Sequence, residues 1–143
     1  MYSILNGSLM IGGGSQVLDS PGASFYLGGT KPGTVQLNNG SNGVALSAST
    51  AEGFMKGILI YRDRSASPSS TGSVVQGGAT FNVGGVIYLP SDTLTVSNGA
   101  QLAYPSGGGL QVIAQTITVQ GSAHITAGGT LPSTGTARMA LIQ

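Results

Sequence analysis

The sequence predicts an all-β chain wound into a single right-handed parallel β-helix of about five to six coils, with protruding loops on one edge. Three observations predict it. Short apolar strand words recur at roughly 25 to 33 residues, a period that marks solenoids and arrays: Ser24–Leu27, Gly57–Tyr61, Gly85–Leu89, Leu110–Ile113 and Arg138–Ile142. Two further series keep the same order within each period. One is Thr34–Leu37, Ser73–Gln76, Thr93–Val96 and Thr116–Val119; the other is Gly43–Leu46, Ala79–Val83, Ala100–Ala103 and Ser122–Ile125. The composition agrees with a repetitive β structure. Charged residues make up 6% of the 143, and 25 are glycine, whereas about 25% charged is usual for a globular domain.

Taken in order, Tyr2–Leu5 is a strand and Asn6-Gly7 a tight turn. Ser8–Ile11 and Ser15–Leu18 follow on either side of Gly12-Gly13-Gly14, and the segment from Ala23 to Leu27 is expected to complete the first coil. The Gly-Gly and Asn-Gly pairs at 12–13, 28–29, 39–40, 77–78, 84–85, 98–99 and 128–129 read as corners, where the backbone takes φ > 0 and a side chain would be strained. Residues 47–56 interrupt the ladder. Ser49-Thr50-Ala51-Glu52 fits a capping box, but Gly53 limits it to a single turn. Residues 62–72 form a second loop with the only cluster of charge, residues 104–109 a third and residues 128–135 a fourth. All four are expected between the third word of one coil and the first word of the next. Five or six rungs at ~4.8 Å make a rod roughly 25–30 Å long. It ends on the apolar word Met139–Ile142, with no polar cap after it.

The composition also bounds function. Five basic and four acidic residues leave a net charge of +1, and Lys31, Lys56, Arg62, Arg64 and Arg138 form no patch able to neutralise several phosphates, so nucleic acid is excluded as a partner. Little self-repulsion favours association. The absence of cysteine removes disulfide, zinc-thiolate and cysteine-nucleophile chemistry. No apolar run approaches a membrane span, and no signal-peptide pattern follows Met1. The chain reads as one β-helix domain over residues 1–143; it is either cytoplasmic or, as the composition favours, a fragment or mature part of a larger secreted, extracellular protein.

Catalysis finds little footing. Asp19, Glu52, Asp63 and Asp92 fall in different coils, without the facing carboxylate pair that glycoside hydrolysis needs. Asp63, between Arg62 and Arg64, is expected to stay ionised. His124 alternates outward in its strand and has no second ligand beside it, and the calcium-binding β-roll repeat is absent. No cofactor is implied. Binding surfaces remain: a loop edge of Lys56, Tyr61, Arg62, Arg64 and Tyr104 suited to a glycan, and a threonine face of Thr93, Thr95, Thr116 and Thr118 at equivalent points of successive coils. Asn6-Gly7-Ser8 and Asn39-Gly40-Ser41 read as turns rather than glycosylation sites.

Several words occur in an order that resembles a known family. These are Gly57-Ile-Leu-Ile-Tyr-Arg-Asp-Arg64, then Gln76-Gly-Gly, Gly85-Val-Ile-Tyr-Leu-Pro90, Leu94-Thr-Val-Ser-Asn-Gly99 and Leu110-Gln-Val-Ile-Ala-Gln-Thr-Ile-Thr-Val-Gln-Gly121. The succession, best from 57 to 125, resembles the C-terminal region of TadG-like proteins of tight-adherence (Flp) pilus systems. The resemblance implies a non-enzymatic module of a secreted or envelope-anchored surface appendage, and it brings no catalytic residues. The expected function is therefore a structural or adhesive one. Its sharper form is head-to-tail self-assembly, with Tyr2, Ile4 and Leu5 pairing with Met139, Leu141 and Ile142 of another copy. Capping by neighbouring envelope domains is the other use of those edges. A glycan- or surface-binding module is the alternative function, and a polysaccharide-degrading enzyme the least favoured.

Overall fold

The computed structural model describes residues 1–13, 17–38, 44–78, 80–104 and 108–129. Among them the chain is all strand, with no helix, and its parallel strands stack as a β-solenoid. The strands are β1 (Tyr2–Leu5), β2 (Leu9–Ile11), β3 (Val17–Ala23), β4 (Phe25–Gly28), β5 (Val35–Asn38), β6 (Val44–Ala48) and β7 (Ile58–Arg62). They continue with β8 (Ser73–Gln76), β9 (Thr80–Ser97), β10 (Gln101–Ala103), β11 (Gly109–Val119), β12 (His124–Ile125) and β13 (Gly128–Gly129).

Three faces follow from the pairing. On the first, Tyr2, Phe25, Ile60, Ile87 and Val112 lie in one column. On the second, Ile11, Leu37, Val75, Val96 and Val119 share a column. On the third the backbones of Val17, Val44, Phe81, Leu102 and Ile125 align. Each face thus has one rung from each of five successive passes, and the chain makes about four turns. From the second coil to the fifth, the described words fall on these three faces in the predicted order.

Alternation does the folding. In β5 and β6 every second residue is buried, as a strand with one face on a core requires. Val44, Phe81, Val83, Leu59, Leu89 and Leu102 are completely buried in the shared core. Strand β9 serves all three faces: Phe81–Gly84 closes one coil on the third, Val86–Tyr88 opens the next on the first, and Leu94–Ser97 continues on the second. The bend between third and first faces falls at Gly84-Gly85, where Gly85 has φ +117°. A Cβ there would lie 2.5 Å from the Ala48 Cβ, so only glycine fits this corner. Asn98 and Gly99 likewise turn a corner with φ of 55° and 73°.

Some details differ from the sequence reading. Phe25–Gly28 pairs with Tyr2–Leu5, so the segment expected to complete the first coil opens the second, because its Phe25 stacks on Tyr2 in the same inward column. The 47–56 and 104–109 segments join the third face to the first, whereas 62–72 joins β7 on the first face to β8 on the second. In the 47–56 segment Ser49 Oγ accepts the Ala51 amide at 3.2 Å, and the Gly53 and Met55 carbonyls accept the Lys56 and Ile58 amides. These are tight turns, and no helix forms. After β12 the chain reverses, and β13 pairs antiparallel with Gly109–Leu110. Asn39-Gly40 and the word Arg138–Ile142, with Met139, Leu141 and Ile142, lie outside the described residues.

Candidate functional site

The corner between first and second faces holds the most concentrated polar chemistry. Arg62 closes β7 at an inward position, two residues after the core residue Ile60, and is 1% exposed. Its guanidinium donates from Nε to the Gly33 carbonyl at 3.1 Å and from Nη2 to the carbonyls of Pro32 and Ser67 at 3.2 and 2.9 Å. Nη1 donates to Ser91 Oγ at 2.8 Å. The rigid fork of an arginine suits several fixed acceptors. This one ties Pro32 and Gly33 of the second coil to the 62–72 loop of the third and to Ser91 of the fourth.

Asp92 is buried beside it in sequence. Its Oδ2 accepts from Ser73 Oγ at 2.6 Å and its Oδ1 from the Thr93 amide at 3.0 Å. Ser73 Oγ in turn accepts the Val35 amide at 3.0 Å. A relay of one amide, one hydroxyl and one carboxyl therefore links three coils, and both oxygens of the buried Asp92 side chain accept a donor.

Outside the same end of the first face stands a ladder of tyrosines. Tyr26, Tyr61 and Tyr88 occupy one outward column. Their rings stack with centroids 5.8 Å apart between Tyr26 and Tyr61 and 5.0 Å between Tyr61 and Tyr88. The Tyr26 hydroxyl donates to Asp63 Oδ2 at 3.1 Å. Asp63 Oδ1 accepts from the Ser65 hydroxyl at 2.7 Å and the Ser65 amide at 2.9 Å.

These bonds hold the Asp63 carboxyl below the ordinary value of 3.8, Ser65 first through its hydroxyl and amide and Tyr26 after it. The sequence reading expected Asp63 to stay ionised because of its arginine neighbours. The direction holds, but the cause is hydrogen bonding, because Arg62 points into the core. Tyr26 is pushed above 10.0, chiefly by the bond it gives Asp63. Tyr61 is raised by burial first and then by Tyr88 and Asp63, against the pull of Arg64. A carboxylate with a lowered folded value stabilises the fold above its unfolded value and loses that contribution as pH falls through the folded one. Thermal midpoints measured from pH ~6 down to pH ~2 should therefore fall less steeply in Asp63→Asn than in the parent chain.

The residues proposed for a loop edge do not converge. Lys56 pairs with Glu52 at the corner from third to first face. Tyr61 belongs to the ladder on the first face, Arg62 is inside, and Arg64 is exposed on the 62–72 loop. Tyr104 packs half-buried against the core. The threonines do meet: Thr93 pairs with Thr116 and Thr95 with Thr118. The column of Thr95 continues through Val74, Gln36 and Met10, so the threonine ladder is two rungs deep. His124 is exposed, as alternation predicts.

At the first coil, Tyr2 and Leu5 are 59% and 67% exposed, and Ile4 is half-buried. Two open, mostly apolar grooves accompany these features. One, about 210 Å³, lies between Met1 and the Phe54–Lys56 turn. The other, about 460 Å³, lies between Leu110–Val112 and Ala127–Gly129. Neither brings carboxylates face to face. Among the described residues no three His, Cys, Asp or Glu side chains are grouped to hold a metal, and no helix is long and apolar enough to cross a membrane.

Sequence reasoning overlooked the ladder and the arginine hub. The ladder leaves a plain signal, since Phe25-Tyr26, Ile60-Tyr61 and Ile87-Tyr88 repeat one aromatic at one position of the first word. No family model matches the chain, and no curated protein or solved structure matches it either.

Proposed function

We propose that the chain is a non-enzymatic structural module, a β-solenoid rod of an extracellular surface appendage or adhesive system, joined to further copies at its rung edges. One observation carries the reading. Among the described residues each strand of the first coil has a single neighbour: β1 pairs with β4, β2 with β5 and β3 with β6. In a parallel ladder, alternate amides and carbonyls of such a strand face away from the neighbour, and an unpaired edge is a template for another strand.

The apolar character of that edge supports the same reading. Met1, Leu5 and Met10 are each about two-thirds exposed, and a net charge of +1 leaves little repulsion between copies. At the other end of the described rod, Ile117 and Val119 are exposed at 45% and 47% although their columns are core columns in the preceding coils. A copy stacked on either end repeats the contact head to tail, and such a contact gives a filament unless it closes.

Most of the described charged side chains, Lys31 and Arg64 apart, hold the rod. Asp63 closes a turn, Asp92 and Arg62 staple coils, and Glu52 pairs with Lys56. The resemblance of the ordered words to tight-adherence pilus proteins would fit the same class of role. A glycan site on the loop edge is less well supported, because it needs the buried Arg62 at the surface.

The test is Leu5→Lys, a charge placed on an exposed edge residue. Sedimentation velocity should show concentration-dependent growth for the parent chain and a single small species for the variant, with unchanged circular dichroism. Equal growth in both would remove the first rung from the interface.

A further inference from the structure

The tyrosine ladder has a chemical consequence separate from assembly. We propose that Tyr61 and Tyr88 form an oxidative cross-linking site, at which a one-electron oxidant of the peroxidase class joins the two rings by a carbon–carbon bond and rivets the third coil to the fourth. The two rings are direct register partners on adjacent rungs. They are stacked with centroids 5.0 Å apart and planes 20° apart, the tightest pair of the ladder. Both are half-buried on the outer side of the first face, so their edges meet solvent while packing restricts their rotation.

The chemistry balances. Each phenol yields one electron to the oxidant and its hydroxyl proton to solvent. The two phenoxyl radicals then couple through the ring carbons ortho to oxygen, and the ortho hydrogens shift to restore the hydroxyls. The protein loses two hydrogen atoms in all, and one hydrogen peroxide is reduced to two waters. Coupling requires two radicals in contact. The stack supplies that arrangement within one molecule, an intramolecular advantage that a pair meeting by diffusion lacks.

Tyr26 extends the ladder at 5.8 Å from Tyr61. Its hydroxyl is bonded to Asp63, and it takes no part in the coupling. Tyr2 stacks on Phe25, and Tyr104 lies against the core at a different corner. Neither has a tyrosine stacked on it among the described residues.

The experiment treats the dilute, folded protein with a haem peroxidase and limiting hydrogen peroxide. It follows the blue fluorescence of the biaryl product and maps the cross-linked peptide by mass spectrometry. Peptide mapping is needed because Met1 and Met10, each 65% exposed, take up oxygen under the same conditions. The expected result is a monomeric product in which the Tyr61 and Tyr88 peptides are joined with the loss of two hydrogens. The fluorescence should fall to background in Tyr61→Phe and in Tyr88→Phe, which keep the stacked rings, and persist in Tyr2→Phe and Tyr104→Phe. In urea the joined pair should give way to a mixture over all tyrosines. The proposal is overturned if no product forms, if the product joins separate chains, if it maps to another pair, or if Tyr61→Phe leaves it unchanged.

Discussion

Arg62→Ala is expected to be among the most destabilising single substitutions in the chain, costing about 3–5 kcal/mol. The guanidinium makes four hydrogen bonds, to the carbonyls of Pro32, Gly33 and Ser67 and to Ser91 Oγ. Alanine leaves those acceptors without their donor and opens a void where a fully buried side chain stood. An acceptor left unsatisfied in the interior costs about 1–3 kcal/mol, and relaxation toward water recovers part of the sum. For a chain of this size each kcal/mol moves the thermal midpoint by roughly 2–4 °C, so the shift should be about 6–20 °C.

Arg62→Lys tests the geometry rather than the charge. An ammonium keeps the cation but cannot span acceptors on three coils, and a loss of roughly half that of alanine is expected. Arg64→Ala is the matched control two residues away. That side chain is exposed, and the change should stay within about 0.5 kcal/mol. Urea unfolding of the three variants beside the parent measures all of this. Equal midpoints for Arg62→Ala and Arg64→Ala would contradict the hub.

The second large effect is at a corner. Gly85→Ala places a Cβ 2.5 Å from the Ala48 Cβ and 2.9 Å from the Gly57 carbonyl oxygen, on a backbone with φ +117°. Overpacking typically costs about 1–3 kcal/mol, and a non-glycine residue at such a φ adds about 1–3 kcal/mol. A total near 2–4 kcal/mol is expected after relaxation. The two contributions separate in a double variant. Ala48→Gly removes the closest clash but not the backbone strain, so Gly85→Ala in that background should cost less than it does alone while remaining destabilising. Gly78→Ala is the control, since nothing lies within 4 Å of a Cβ there, and its unfolding midpoint should be close to that of the parent.

Much of this fold is legible in the sequence, and the reason is repetition. A strand word such as Val35–Asn38 or Val44–Ala48 alternates cleanly. The recurrence of three such words in order leaves stacking as the one arrangement that buries every inward residue. The corners are legible for a steric reason, as at Gly85 and at Asn98-Gly99.

The polar sites are harder to read. Arg62 sits next to Asp63 and Arg64 in a stretch that looks like a solvated charge cluster, and arginine is seldom fully buried. The clue was its parity with Ile60, which places it inward, but parity does not reveal that Pro32, Gly33, Ser67 and Ser91 converge to receive it. That convergence depends on how three coils stack. The cause of the Asp63 shift was hidden for the same reason, because Ser65 and Tyr26 reach it through a turn and a neighbouring rung. The sequence could not show that 62–72 leaves from a different corner than 47–56 and 104–109, which keeps the loop-edge residues apart. The reversal at Gly128–Gly129 has no periodic signal at all, since two glycines carry no inward or outward preference.

The central claim is that the rod works by joining its rung edges to those of other copies. Negative-stain electron microscopy of the purified chain across a concentration series tests it most directly. The account predicts thin, uniform fibres that lengthen with concentration and whose axial repeat matches the height of one rod, roughly 20–25 Å. Small, monodisperse particles at every concentration would contradict it.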